Sequence, residues 1–169
     1  IRHGETHWNK ERRVMGQKDI PLNQKGLEQA KQAAEILKNN AHFKNAHSSK
    51  GHFTQILSSP LIRALKTAEI ISEQVQKPLM VIEGLKECSL GIREGDLKGE
   101  WLEEWKQGGE IEGAELFDDF IIRAQDAFKE ALSYPGPVLI VAHNAIYWSI
   151  QEALKLPKRD IENAVPLYH

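Results

Sequence analysis

The chain has 169 residues, a length suited to one domain, and its 41% hydrophobic and 27% charged content fits a packed core under an ordinary wetted surface. Its 22 Lys and Arg against 24 Asp and Glu leave a net charge of −2, which gives no electrostatic drive toward nucleic acid or an anionic membrane. One cysteine, Cys88, excludes an internal disulfide, no Cys/His spacing suits zinc, and no apolar run nears the ~20 residues of a membrane span.

Ile1 leads straight into Arg2, His3, Gly4 and Glu5 with no strand before it, and Pro166 to His169 stop without a cap, so both ends read as truncated. With no address visible, the expected compartment is the cytoplasm. Leu27, Ala30, Ala34 and Leu37 recur at helical spacing behind Asn23, a candidate N-cap. His42, His47 and His52 follow at a spacing that suits neither a helix face nor a strand face, and read as loop residues rather than ligands. Gln55 to Ser58 is a short strand. Pro60 opens a helix carrying Leu61, Leu65, Ala68 and Ile71. Leu79 to Ile82 is a second strand. Phe117, Phe120, Ile121, Ala124, Phe128 and Leu132 make the strongest helical pattern. Val138 to Ala142 is continuously apolar, as a strand buried on both faces should be. Ile146 to Leu154 is a last helix. Strands alternating with helices predict an α/β fold, a three-layer α/β/α sandwich with a mostly parallel central sheet, as one domain over 1–169.

Residues 94–119 stand apart. Glu94, Asp96, Glu100, Glu103, Glu104, Glu110, Glu112, Glu115, Asp118 and Asp119 face only Lys98 and Lys106 as local counter-charges, and Trp101 and Trp105 interrupt them. The stretch reads either as a solvated insertion or as a lid whose tryptophans form its apolar face. In the second reading its carboxylates stand near a pocket mouth and disfavour substrates carrying extra negative charge.

Parallel α/β sheets bind ligands beyond the carboxyl ends of their strands. His3 sits where a short first strand would end, Arg63 follows the strand 55–58, and His143 follows 138–142. Three strand ends thus bring His, Arg and His to one sheet edge, which is how a phosphate site is built. Glu5 reads as a tie for the first loop, Trp8 as packing, and Arg13 equally as a surface or a pocket residue. Nothing nearby activates Cys88.

The blocks Arg2, His3, Gly4, Glu5, Thr6 with Asn9; Arg13 and Gly16 with Asp19 and Leu22; Ser58, Ser59, Pro60 with Arg63, Thr67 and Ala68; Leu85 and Glu87 with Gly91, Glu94 and Gly95; and Val138 to His143 resemble the histidine phosphatase, or phosphoglycerate mutase-like, superfamily. The resemblance spans Arg2 to His143 in the family's order. It implies a phosphoglycerate mutase-like fold and a phosphohistidine intermediate on His3. It implies phosphoryl contacts from Arg2, Arg63 and His143, acid–base work by Glu87, and a pocket lined by Thr6, Asn9, Gly16 and Asn144. It implies no metal and no cofactor, and a small phosphate monoester as the partner molecule. Two positions depart from the family's habit: Asn144 stands where glycine commonly follows the histidine, and Arg93 where many relatives have tryptophan before Glu-Gly. The mutase signature Glu-Arg-His-Tyr-Gly is replaced by Glu87, Cys88, Ser89, Leu90 and Gly91. The expected activity is therefore phosphomonoester hydrolysis, with a phosphoglycerate mutase-type transferase and a phosphate-binding module without turnover as the alternatives.

Overall fold

A computed structural model describes residues 1–39, 53–157 and 161–167. His42, His47 and His52 lie outside the described residues. Three parallel strands, β1 (Gln55–Ser58), β2 (Leu79–Val81) and β3 (Val138–Val141), form a sheet in the order β2-β1-β3. Ile56 aligns with Leu79 on one side and with Leu139 on the other. Arg2 extends the far side of β3 through single parallel bridges to Ala142 and Asn163.

Helices cover both faces. The short α1 (His7–Lys10) leads to α2 (Gln24–Asn39), which packs with α3 (Ile62–Val75) on one side. There Ala33, Ala34 and Leu37 of α2 and Ala68 and Ile71 of α3 meet Ile56, Leu139 and Val141. The small α4 (Glu100–Lys106), the long α5 (Phe117–Ser133) and α6 (Asn144–Ala153) lie toward the other face. Their Trp105, Phe120, Ala124, Ala127, Ala145 and Ile146 pack with Leu57. Ile56 and Leu57 are adjacent yet join opposite cores, because successive strand side chains alternate faces. The three-layer α/β expectation is met.

The strand buried on both faces is β1, every residue of which is buried. In β3 only Leu139 and Val141 are fully buried, while Val138 and Ile140 are half-covered. A central position, with a paired strand on each side, explains the difference better than composition does. Leu132, expected on the apolar face of α5, is 60% exposed, because it falls in the last turn and borders an open cavity shared with Val138 and Ile140 of β3.

The helix starts place the site. Asn23 caps α2, its Oδ1 accepting the Gly26 N–H at 2.8 Å. Gly26 and Gly4 let two backbones touch: a Cβ on either would strike the main chain of Glu5 or Gly26. Helix α3 starts two residues later than Pro60, with Leu61 as an N-cap that offers no side-chain acceptor. Asp19, from the loop before α2, supplies one instead, accepting the Ile62 N–H at 2.7 Å. A carboxylate at a helix N-terminus satisfies an orphan donor and favours the dipole. This contact holds the 16–22 loop against the start of the helix that carries Arg63.

Candidate active site

At the carboxyl edge of the sheet lies a narrow cleft with about 90 Å3 of free space. Arg2, His3, Asn9, Gly16, Arg63, Glu87 and Asn144 all line it. Of the three strand-end residues, His3 and Arg63 thus meet at the cleft, joined there by residues from other stretches of sequence.

His3 is buried, and its backbone N–H donates to Ala142 O at 3.0 Å, which anchors it beside β3. Its Nδ1 stands 2.7 Å from Gly4 O. A carbonyl only accepts, so Nδ1 carries the proton and Nε2 holds the free lone pair. Burial, then the charges of Arg63 and Arg2, push the imidazole well below its ordinary range. At neutral pH His3 is thus an uncharged base with a defined nucleophilic nitrogen.

Arg63 is completely buried. Two of its guanidinium nitrogens donate to Lys18 O at 2.8 Å and Gly16 O at 2.7 Å. Its Nε has no partner among the described residues. Burial lowers its pKa to about 10, so it stays charged at neutral pH. Thr67 braces this region twice, donating to Arg63 O and accepting from Gly4 N–H. Arg2 lies at the same edge, one nitrogen donating to Ile161 O at 3.2 Å.

Glu87 faces this cationic group. One carboxylate oxygen accepts the Cys88 N–H at 3.1 Å and the other the Ala145 N–H at 3.3 Å. Burial raises its pKa, while Arg63, the two N–H groups and Arg2 pull the other way and only partly offset it. A carboxyl raised in this way can hold a proton to give. Its sequence neighbours do other work: Glu83 is exposed and pairs with Lys86, and Glu94 turns its carboxylate onto the backbone N–H groups of Gln17 and Leu90. Glu94 thereby ties the Gly16 loop to the Glu87 loop. Cys88 is buried and its thiol is pushed well above its ordinary range, so it remains a protonated wall of the cleft.

His143 is also buried, its ring centroid 5.3 Å from that of His3. It is not one of the residues that line the cleft itself. Thr6 is a correction. Its hydroxyl accepts the Asn9 N–H at 3.1 Å and approaches Met15 Sδ, and the Asn9 side chain accepts the Thr6 N–H. This capping box on α1 uses up the Thr6 side chain, which is absent from the cleft lining, while Asn9 takes part in it. Glu5 ties down the first loop as expected, accepting from Asn23 at 3.0 Å and Lys25 at 2.8 Å.

The acidic stretch behaves differently from the charge-filter expectation. None of its carboxylates lines the cleft; Lys98, Leu102 and Trp105 do. Glu100, Glu103, Glu104, Glu110, Glu112, Asp118 and Asp119 are exposed, and Glu115 is paired to Arg123 at 2.6 Å. Trp105 is buried against Phe117 and Phe120, with its Nε1–H donating to Glu115 O at 2.9 Å. Charged side chains remain in water because burying them is costly, so the helix turns its apolar residues inward and its acids outward.

Three contributors escape a sequence reading: Trp148, Lys98 and Arg123. Trp148 lines the cleft from α6, with Lys106 Nζ over its ring at 4.7 Å. Lys98 lines it from the acidic stretch. Arg123 of α5 donates to Gly84 O, Lys86 O and Glu87 O and so holds the loop that carries Glu87. No local motif marks these residues, because each meets the site through the fold rather than through its neighbours in sequence; Arg123 reaches Glu87 across 36 positions of chain.

With the site assembled, its likeness to known proteins can be stated. The family model of the histidine phosphatase superfamily (branch 1) matches residues 1–165. The chain belongs to the histidine phosphatase superfamily. It is 34% identical over 170 residues to the probable phosphoglycerate mutase GpmB of Salmonella newport, covering 93% of this chain and 74% of that protein. A mycobacterial glucosyl-3-phosphoglycerate phosphatase, solved in complex with VO3, superposes with a TM-score of 0.78 at 28% identity, over 96% of this chain and 87% of that one. A phosphoglycerate mutase from Thermus thermophilus superposes at 0.73 with 25% identity, over 97% and 86% of the two chains. This member of the superfamily is therefore similar to proteins named for hydrolysis and to proteins named for transfer. No helix among the described residues is long and apolar enough to cross a membrane.

Proposed function

We propose that this histidine phosphatase superfamily enzyme is a metal-independent phosphomonoester hydrolase for a small phosphorylated metabolite. His3 Nε2 attacks phosphorus, forming an N–P bond as the P–O bond to the leaving group breaks. Glu87 gives its proton to the leaving oxygen. Glu87, now a carboxylate, takes a proton from water as that water attacks the phosphohistidine, releasing inorganic phosphate and free His3. Arg2 and Arg63 hold the phosphoryl oxygens, and Arg63 Nε, buried and without a partner among the described residues, is a donor suited to one of them. Two guanidinium groups supply positive charge that a metal ion supplies in other phosphoryl-transfer sites.

The observation that carries hydrolysis over transfer is the wall beside the acid. Val14, Cys88, Leu90, Leu102, Trp105 and Trp148 make much of it apolar, and these side chains offer a second phosphate no strong hydrogen-bond donor. A specific observation favours the mutase reading: Arg13 and Lys98 also line the cleft, two cations able to receive an anionic group on the substrate. One experiment separates the readings. The protein, stripped with EDTA, is given 3-phosphoglycerate with a trace of 2,3-bisphosphoglycerate, and separately glycerol phosphate and p-nitrophenyl phosphate. Hydrolysis predicts inorganic phosphate from monoesters, undiminished by EDTA. Accumulation of 2-phosphoglycerate without phosphate release assigns the mutase, and loss of Lys98 in Lys98→Ala should then raise KM for phosphoglycerate more than for glycerol phosphate. Abolition by EDTA with rescue by a divalent ion contradicts the metal-independent chemistry.

A further inference from the structure

His143 has two ring nitrogens in unlike surroundings. Nε2 lies 2.7 Å from Ser59 Oγ, whereas Nδ1 is buried and has no hydrogen-bond partner among the described residues. Ser59 follows the end of β1. It is fully buried, and its own N–H donates to Val141 O at 3.1 Å, so its position is set by the strand pairing that also sets His143.

The serine hydroxyl has one hydrogen to give. Its oxygen already accepts the Leu61 N–H at 3.3 Å. Among the described residues its hydrogen has no acceptor other than His143 Nε2. If instead Nε2–H donated to Oγ, two groups would be stranded in the interior: the serine hydrogen and the Nδ1 lone pair. Donation from serine strands only one, an Nδ1–H, and leaving a buried polar group unmatched is costly. A phosphoryl oxygen matches a donor and repels a lone pair.

We infer that Ser59 is a positioning residue: its hydroxyl donates to His143 Nε2 and holds the imidazole as the Nδ1–H tautomer, a neutral donor on a ring 5.3 Å from that of His3, which carries the phosphoryl group in the proposed reaction. The second half rests on the proposed phosphoryl site; the tautomer does not. The tautomer matters because His143 is uncharged at neutral pH. Burial keeps it so, reinforced by Arg63, His3, Arg2 and Arg123. A charged imidazolium would carry a proton on each nitrogen and need no such selection.

The test is nitrogen-15 NMR of histidine-labelled protein, with the His143 signals assigned by their loss in His143→Gln. The wild-type long-range proton–nitrogen pattern should show Nδ1 protonated and Nε2 bare, without any substrate present. Ser59→Ala should move His143 toward the Nε2–H form and lower kcat/KM for a phosphate monoester by about 10-fold, the scale of one hydrogen bond to a charged group. Ser59→Thr, which restores the hydroxyl, should recover both. A wild-type spectrum with Nε2 protonated overturns the inference outright, and is readable even if Ser59→Ala fails to fold. A tautomer that shifts in Ser59→Ala while kcat/KM holds overturns the role of Nδ1–H. If the wild type has the stated tautomer yet hydrolyses no monoester, the tautomer stands and the hydrolase reading falls.

Discussion

Glu87 concentrates the compromise between stability and chemistry at a single residue. Its carboxyl is raised by burial despite Arg63, the two N–H donors and Arg2, so the folded state binds its proton more tightly than the unfolded chain does. A folded-state pKa above the unfolded one means that the native state binds more protons between the two values. Stability therefore falls as pH rises above the ordinary carboxylate range. Glu87→Gln mimics the protonated form. It should raise Tm at pH 7, with the gain shrinking as pH drops from the raised folded value toward the ordinary carboxylate range; a pH series of thermal melts reads this directly. The same variant should lose ~10²–10⁴-fold in rate on an alkyl phosphate, the usual worth of general acid–base help. On p-nitrophenyl phosphate the loss should be smaller, because that leaving group needs little protonation. Equal loss on both substrates would deny the residue its acid role. Much of this is legible in the sequence: Arg2, His3, Arg63 and Glu87 sit in short blocks whose residue types announce phosphate chemistry. Thr6 misleads because its neighbours Arg2, His3 and Asn9 line the cleft while Thr6 itself turns into the cap of α1. Ser59 stands in one of the blocks, but its role is hidden because its partner lies 84 positions away.

Elements place these residues, and α5 does so across the molecule. Arg123 reaches from it to three carbonyls of the 84–87 loop and to the Glu115 carboxylate. The periodicity of α5 is plain in sequence, but its polar face carries no sign that one arginine on it holds the acid loop. Arg123→Met should destabilise the protein by about 2 kcal/mol, the scale of losing hydrogen bonds to a charged group at a partly exposed site. It should also lower kcat more than it raises KM, because the acid rather than the phosphate site is displaced. Urea melts with steady-state kinetics check both, and a change confined to KM would place Arg123 outside the acid's support. In α4 the arrangement reverses the expectation from charge. Its acids Glu100, Glu103 and Glu104 face water, and it is Leu102 and Trp105 that reach the cleft. Charge density describes a helix's wet side; Trp105, anchored on Phe117 and Phe120, describes its buried one.

At the scale of the whole molecule, the sheet gathers one arginine–histidine pair before it, a second arginine after β1 and a second histidine after β3. The alternation of strands and helices makes the layering legible, and the strand ends make the site legible. Which strand is covered on both faces depends on lateral neighbours, so runs of apolar residues point to β3 when β1 holds the centre. Two buried neutral histidines also shape the pH dependence of the whole fold. His3 and His143 are both pushed well below the ordinary imidazole range. The unfolded chain therefore binds more protons than the native one as pH falls below about 6.5, the free imidazole value, and native stability drops with it. Tm should decline from pH 7 to pH 5, and the decline should be shallower in His143→Gln. Because the opposing Glu87 contribution is common to both proteins, equal slopes in wild type and His143→Gln over that window would mean the His143 ring is not held neutral.

The central claim is a phosphoryl group carried on His3. Wild-type protein mixed with excess phosphorus-32-labelled monoester and quenched in alkali within a turnover should retain label on the chain. That label should survive base, disappear in acid, and map to the peptide that contains His3. His3→Ala, folded by circular dichroism, should retain none and hydrolyse at background rate. Absence of label from an actively hydrolysing wild type, or label of equal size on His3→Ala, would contradict the account.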